Sequence, residues 1–206
     1  MKTIKAKTVA LVIAMSASTS VYAFPGYQWE KAAQSVGIDP VMLYAVALAE
    51  SASHRGLNMT SPWPYAIRNG SNATYAKSKT EAEQLLNQAL QESEKYQLDI
   101  GLMQINLHWH GHRVSSAAEL LDPITNLTVG SSILAEAIKS SPNDLELGIG
   151  RYHSWNEERA RWYGQRVLSI IAIFYMNWRS VNDNQSTRLL SIKFGIPTRS
   201  TGIGAH

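Results

Sequence analysis

The segment "GIDPVMLYAVALAES", Gly37 to Ser51, decides the class of fold. Asp39 before Pro40 marks a helix start. An aspartate oxygen accepts a bond from a free backbone N–H, and proline's missing N–H is not needed at the first helical position. From Val41 to Ala49 the chain carries no charged residue and is almost wholly apolar. A helix with no polar stripe is buried on most sides, so it belongs at the centre of a helical domain. Its end, Glu50-Ser51, raises a chemical question. Burial disfavours the charged form of a carboxyl group. A glutamate kept protonated near neutral pH can serve as a general acid, and a neighbouring serine hydroxyl can hold its orientation. The plain alternative is a solvated glutamate at a helix end.

Outward from this segment, helix signals dominate. Residues 27–36 read as a short helix closed by Gly37. Thr80-Glu81-Ala82-Glu83 matches a capping box and opens a helix to about residue 96. Ser116-Ala117-Ala118-Glu119 is a second such box. Asp122-Pro123 starts a helix to about residue 140, and Ser141-Pro142 starts another toward Gly150. A last helix spans 156–178, polar at first and apolar later. Only 58–75, with two prolines and an Asn-Gly turn, reads as a loop or irregular hairpin. The expected fold is mainly all-α: one domain over 24–180, with an insertion at about 58–98 that holds the hairpin and one helix.

The two ends read differently. Lys2, Lys5 and Lys7 precede the apolar run 8–15, and Val21-Tyr22-Ala23 ends in small residues of the kind a signal peptidase reads. Residues 1–23 are therefore expected to be a secretory signal peptide. Residues 181–206, rich in Asn, Ser, Thr and Gly, read as a C-terminal tail. The leader holds three of the 19 basic residues and no acid, so the remainder carries sixteen basic and 16 acidic residues. That balance gives no basis for attraction to nucleic acid. With no cysteine there is neither a disulfide nor thiolate chemistry. No stretch of the mature chain is long and apolar enough to span a bilayer. An exported chain without an anchor is expected in a bacterial periplasm.

A second segment changes the weight of Glu50. Glu50-Ser51 followed by "GLMQIN", Gly101 to Asn106, resembles the lytic transglycosylases of the soluble (SLT) type, relatives of goose-type lysozyme. "LLDPITNLTVGSSIL", Leu120 to Leu134, looks like that family's helix beneath its groove. "GRYHS", Gly150 to Ser154, falls where the family has Ala-Tyr-Asn-x-Gly, and "WYGQRVL", Trp162 to Leu168, is similar to its closing Tyr-x-x-x-Val. The elements come in family order. Two departures stand out. About fifty residues separate Glu50 from Gly101, a longer span than usual. Such an insertion resembles the branch that accompanies conjugation, type IV secretion or pilus machinery. In addition, Arg151 and His153 replace the usual Ala and Asn.

The resemblance implies a lysozyme-like domain that cleaves the β-1,4 bond between N-acetylmuramic acid and N-acetylglucosamine in peptidoglycan glycan strands. It also implies a secretion, conjugation or pilus apparatus as partner. Glu50 protonates the leaving oxygen, then takes the proton from the sugar's own C6 hydroxyl, which attacks C1 and closes a 1,6-anhydro ring. No cofactor or metal is called for. By the same resemblance Ser51 supports Glu50, and Gln104 and Asn106 line the cleft. Tyr152 lies beside Glu50, Tyr163 belongs to the same wall, and Met103 packs. A hydrolase of this bond uses two carboxylates. Asp99 is the one at hand for a true lysozyme, unless it only shapes a turn. His108, His110 and His112 alternate, as zinc ligands on a strand can, yet no nearby acid or cysteine completes a set. They are expected at the surface or groove edge. Trp109, Trp63, Pro64 and Tyr65 either offer faces to a sugar or pack the insertion. The rival functions are a hydrolytic lysozyme and a non-catalytic wall-binding assembly module.

Overall fold

The computed structural model describes residues 26–54, 60–92, 94 and 97–181. The expected leader at 1–23, and the expected tail apart from Val181, lie outside the described residues. Two helices begin this part of the chain, α1 (Tyr27–Ser35) and α2 (Pro40–Ser51). Asp39 caps α2 as its sequence requires: its Oδ1 accepts from the Val41 N–H at 2.8 Å, with Pro40 in the first turn. Leu43, Val46 and Ala47 on α2 are fully buried. They meet Met103, Leu134, Ile149 and Val167 in one hydrophobic cluster that runs through the molecule.

Between α2 and the next long helix the chain forms strands. β1 (Ala52–His54) pairs antiparallel with β2 (Thr60–Pro62). β3 (Ala66–Asn69) and β4 (Asn72–Tyr75) make the hairpin expected at Asn69-Gly70. After α3 (Lys79–Glu92), β5 (Leu98–Ile100) and β6 (Ile105–Asn106) complete a four-stranded antiparallel sheet in the order β4-β3-β5-β6. The hairpin is thus half of a sheet, whose other half is the segment that leads into and out of "GLMQ".

α4 (Leu107–His110) follows, then 3-10 turns at Gly111–Arg113 and Ala117–Leu121. Three further helices follow: α5 (Pro123–Lys139), α6 (Leu145–Gly150) and α7 (Glu157–Val181). The fold is mainly α-helical, as expected. α6 and α7 approach closely because both carry glycine at the crossing. A Cβ on Gly150 would overlap the Ala160 backbone, and one on Gly164 would overlap the Glu146 carbonyl. This crossing brings the loop after α6 against the first two turns of α7.

Three local expectations shift. The capping box of α3 is Ser78 with Glu81 rather than Thr80 with Glu83. Ser78 Oγ accepts from Glu81 N at 3.2 Å, and Glu81 reaches back to Lys77 N at 2.7 Å. Ser116 and Glu119 open a 3-10 turn, not an α-helix, with Glu119 accepting from Ser115 N at 3.3 Å. Ser141-Pro142 starts no helix. Asp144 caps α6 three residues later, accepting from Leu147 N at 3.0 Å, because a carboxylate there reaches the free N–H groups that Ser141 does not. Among the described residues no single helix is long and apolar enough to cross a membrane.

Candidate active site

Glu50 sits in the last turn of α2 with its side chain only 14% exposed. Burial lifts its pKa from the ordinary 4.5 to about 7. The Tyr163 hydroxyl pulls the other way, the negative charge of Asp99 adds to the rise, and the guanidinium groups of Arg68 and Arg166 oppose it. Near neutral pH the carboxyl therefore holds its proton about half the time, the poise a general acid and base needs.

The loop Gly101 to Gln104 faces the end of α2 and is held from three sides. Ser51 is fully buried, and its hydroxyl donates to Leu102 O at 2.6 Å while accepting from Trp63 N at 3.2 Å. Asn126 on α5, 1% exposed, accepts from Met103 N and donates to Ile100 O and Leu120 O, each at 2.8 Å. Tyr152 donates to Met103 O at 2.7 Å. Gly101 is required here twice over: its φ is +80°, and an added Cβ would lie 2.6 Å from Leu120 O. Gln104 adopts φ +44° without being glycine, a strained conformation. Its own amide offsets the strain by donating to Gly101 O at 2.9 Å and Ala66 O at 3.2 Å.

The tyrosines converge on Glu50 from the other side. Tyr152 follows α6, and burial, then the charges of Glu50 and Asp99, push its pKa well up, so its proton stays on the bond to Met103. Tyr163, in α7, is 2% exposed. Its enclosed hydroxyl faces the Glu50 carboxyl. The ring of Tyr163 carries His153 in a parallel stack, centroids 4.8 Å apart at 3°. This places His153 Nδ1 3.9 Å from Glu50 Oε1. Desolvation, with the positive charges of Arg68, Arg166 and Arg159, pushes the His153 pKa down, so it is neutral where Glu50 titrates.

Asp99 lies on β5 opposite Arg68 on β3 and Asn106 on β6. Burial raises its pKa, while a 2.8 Å bond from Asn106 Nδ2 and the charge of Arg68 oppose the rise. Asn106 also caps α4, accepting from His108 N at 3.1 Å and Trp109 N at 3.3 Å.

The residues named from sequence therefore separate into groups. Glu50, Tyr152 and Tyr163 come together. Gln104 turns both amide protons to backbone carbonyls. Ser51 acts on the loop, its hydroxyl engaged with Leu102 O rather than with the Glu50 carboxyl. Asn106 holds Asp99. Met103 is fully buried beneath the loop. His108 and His110 fall on α4 and His112 in the following 3-10 turn, so the alternation does not lie on a strand. Among the described residues no group of three or more His, Asp or Glu is arranged to hold a metal ion. Trp109 is exposed, whereas Trp63 packs edge-on to Tyr65 and donates to Ala76 O at 2.7 Å.

Two residues escaped the sequence reading as site residues. His153 was visible only as a departure from the family's Asn. Asn126 carried a usable signal, a lone amide inside the apolar run "PITNLTVG".

One shielded carboxyl between two tyrosines, in a mainly helical frame with a small sheet beside it, is a lysozyme-like arrangement. The family model of the Transglycosylase SLT domain matches residues 27–167, and the chain belongs to that family, one of lytic transglycosylases acting on peptidoglycan. No curated protein and no solved structure matches the chain.

Proposed function

We propose that this chain is an exported lytic transglycosylase that cleaves the MurNAc–GlcNAc β-1,4 bond with Glu50 as its one catalytic carboxyl. The observation that carries this reading is the poise of Glu50, enclosed and titrating at about 7. Protonated, it donates to the leaving oxygen. Ionised, it accepts the proton of the C6 hydroxyl as that oxygen attacks C1, so the glycosidic bond breaks, a 1,6-anhydro bond forms, and Glu50 returns to its acid form. Neutral His153 does not stabilise the carboxylate as an imidazolium would. Tyr163 supplies a donor that strengthens as charge appears on Glu50. Gln104 and Tyr152 shape the wall, and Asn106 donates to Asp99. The wall is that of a bacterial periplasm, and the span between Glu50 and Gly101 supports a role in opening it for a conjugation, secretion or pilus apparatus.

A hydrolytic lysozyme is the second reading, favoured by one observation: the charge of Asp99 reaches Glu50. Digestion of purified sacculi followed by mass spectrometry of the muropeptides separates the two. Anhydro ends that vanish in Glu50→Gln support the transglycosylase. Reducing ends that vanish in Asp99→Asn overturn it.

A further inference from the structure

A carboxyl that both gives and takes a proton must hold one orientation through the reaction. Glu50 has a long, flexible side chain, and the neighbours expected to orient it are engaged elsewhere. Ser51 gives its hydroxyl proton to Leu102 O at 2.6 Å. Tyr152 donates to Met103 O at 2.7 Å, and the Gln104 amide donates to Gly101 O and Ala66 O. Tyr163 faces the carboxyl. A single partner leaves a group with two oxygens free to turn.

His153 stands where a second contact is needed, with Nδ1 3.9 Å from Glu50 Oε1. Its ring lies flat on Tyr163, centroids 4.8 Å apart at 3°, and Tyr163 is itself buried. A ring nitrogen gives or takes a hydrogen in the ring plane, so fixing the plane fixes where Nδ1 can reach. The loop beneath is pinned residue by residue. Arg151 donates to Ser140 O at 2.7 Å and to Ser140 Oγ at 2.9 Å, and the N–H groups of His153 and Ser154 donate to Gly150 O at 3.0 Å and 3.1 Å. A movement of about 1 Å brings Nδ1 to hydrogen-bond length, and catalytic contacts shorten in this way as the reaction proceeds. Chemistry separates this ring from the Asn usual in the family at this place. A neutral imidazole nitrogen donates in one tautomer and accepts in the other, whereas an amide nitrogen only donates. The same atom can thus serve the ionised carboxylate and the acid form. Nearly half of the side chain is exposed, so the ring exchanges its proton with water.

We propose that His153 is a positioning residue: its Nδ1, held by the stack on Tyr163, engages Glu50 Oε1 and keeps the carboxyl aimed through both proton transfers. The assignment rests on Glu50 as the acid and base proposed above and adds what orients it. The titratable and charged groups that bear on the pair are Tyr152 in the same loop, Tyr163, Arg159 and Arg166 on α7, and Arg68 and Asp99 on the sheet. The test leaves all of them in place.

Muropeptide release from soluble glycan strands is measured across pH for the full mature chain, for His153→Phe and for His153→Asn. Phenylalanine keeps a flat ring for Tyr163 and lacks the nitrogen. Asparagine loses the ring and keeps an N–H near the Nδ1 position. His153→Phe is expected to lower kcat about tenfold at unchanged KM. Its alkaline limb should move upward, since ionised Glu50 loses a donor. His153→Asn is expected to stay within about threefold of the wild type. An asparagine variant no faster than the phenylalanine one overturns the proposal, because the stack alone would then matter. So does a loss confined to KM, or a phenylalanine variant as fast as the wild type. A second measurement leaves the loop intact. In nitrogen NMR the His153 ring should show a step near pH 7, where Glu50 titrates, that is absent from Glu50→Gln. A ring signal indifferent to Glu50 overturns the proposal whatever the rates. If Glu50→Gln keeps its activity, the catalytic reading fails instead, and the ring signal still decides the contact.

Discussion

Glu50→Gln should stabilise this protein while abolishing its activity, and the size of the gain follows from the site. Glu50 is enclosed, and its pKa rises from 4.5 in an open chain to about 7 in the fold. A raised carboxyl pKa means that the folded state prefers the proton. The associated stability is fully present below pH 4.5 and is lost as pH rises through 7. The shift of roughly 2.5 units corresponds to about 3 kcal/mol once the pH exceeds the folded value. Glutamine keeps the shape and cannot ionise, so the variant escapes that loss. At pH 8 the variant should be more stable than the wild type by about 3 kcal/mol, or roughly 6–12 °C in Tm for a domain of this size. At pH 4 the two should melt together. The assay is thermal unfolding of both proteins from pH 4 to pH 8. Equal stability at pH 8 would mean that Glu50 ionises in the fold as easily as in water. The reasoning from a dry pocket to a general acid would then collapse, whatever the activity of the variant.

Tyr163→Phe removes the hydroxyl that holds the Glu50 pKa down, so the alkaline limb of the pH–rate profile for muropeptide release should move above 7 while the maximal rate falls about tenfold. Asp99→Asn removes a negative charge that raises the same pKa, and the limb should move below 7 with anhydro products retained. Asn126→Ala leaves Met103 N, Ile100 O and Leu120 O without their side-chain partner, and should cost about 3 kcal/mol by chemical denaturation.

Much of the frame is legible in one dimension because its causes are local. Asp39-Pro40 and Asp122-Pro123 cap α2 and α5 through contacts within three residues, and the uninterrupted apolar run of α2 can only be buried. The capping of α3 and α6 was misplaced because several nearby hydroxyls and carboxylates compete for the same free N–H groups. Only the packed chain selects Ser78 and Asp144. The sequence shows only a loop or irregular hairpin where the sheet forms, since β5 and β6 are too short to show a period and are defined by pairing with β3 and with each other.

The site divides along the same line. From residue type and order came a mainly helical domain and a carboxyl at the end of its most apolar helix, while the glycine-led loop and the two tyrosines stood out only by resemblance to a family. The tertiary structure alone decided how dry Glu50 is, and that Ser51, Asn126 and Tyr152 clamp one loop from three sides. It also stacked His153 on Tyr163. Solvent exclusion and the distance between charges depend on segments tens of residues apart meeting in space, and these set whether a carboxyl keeps its proton.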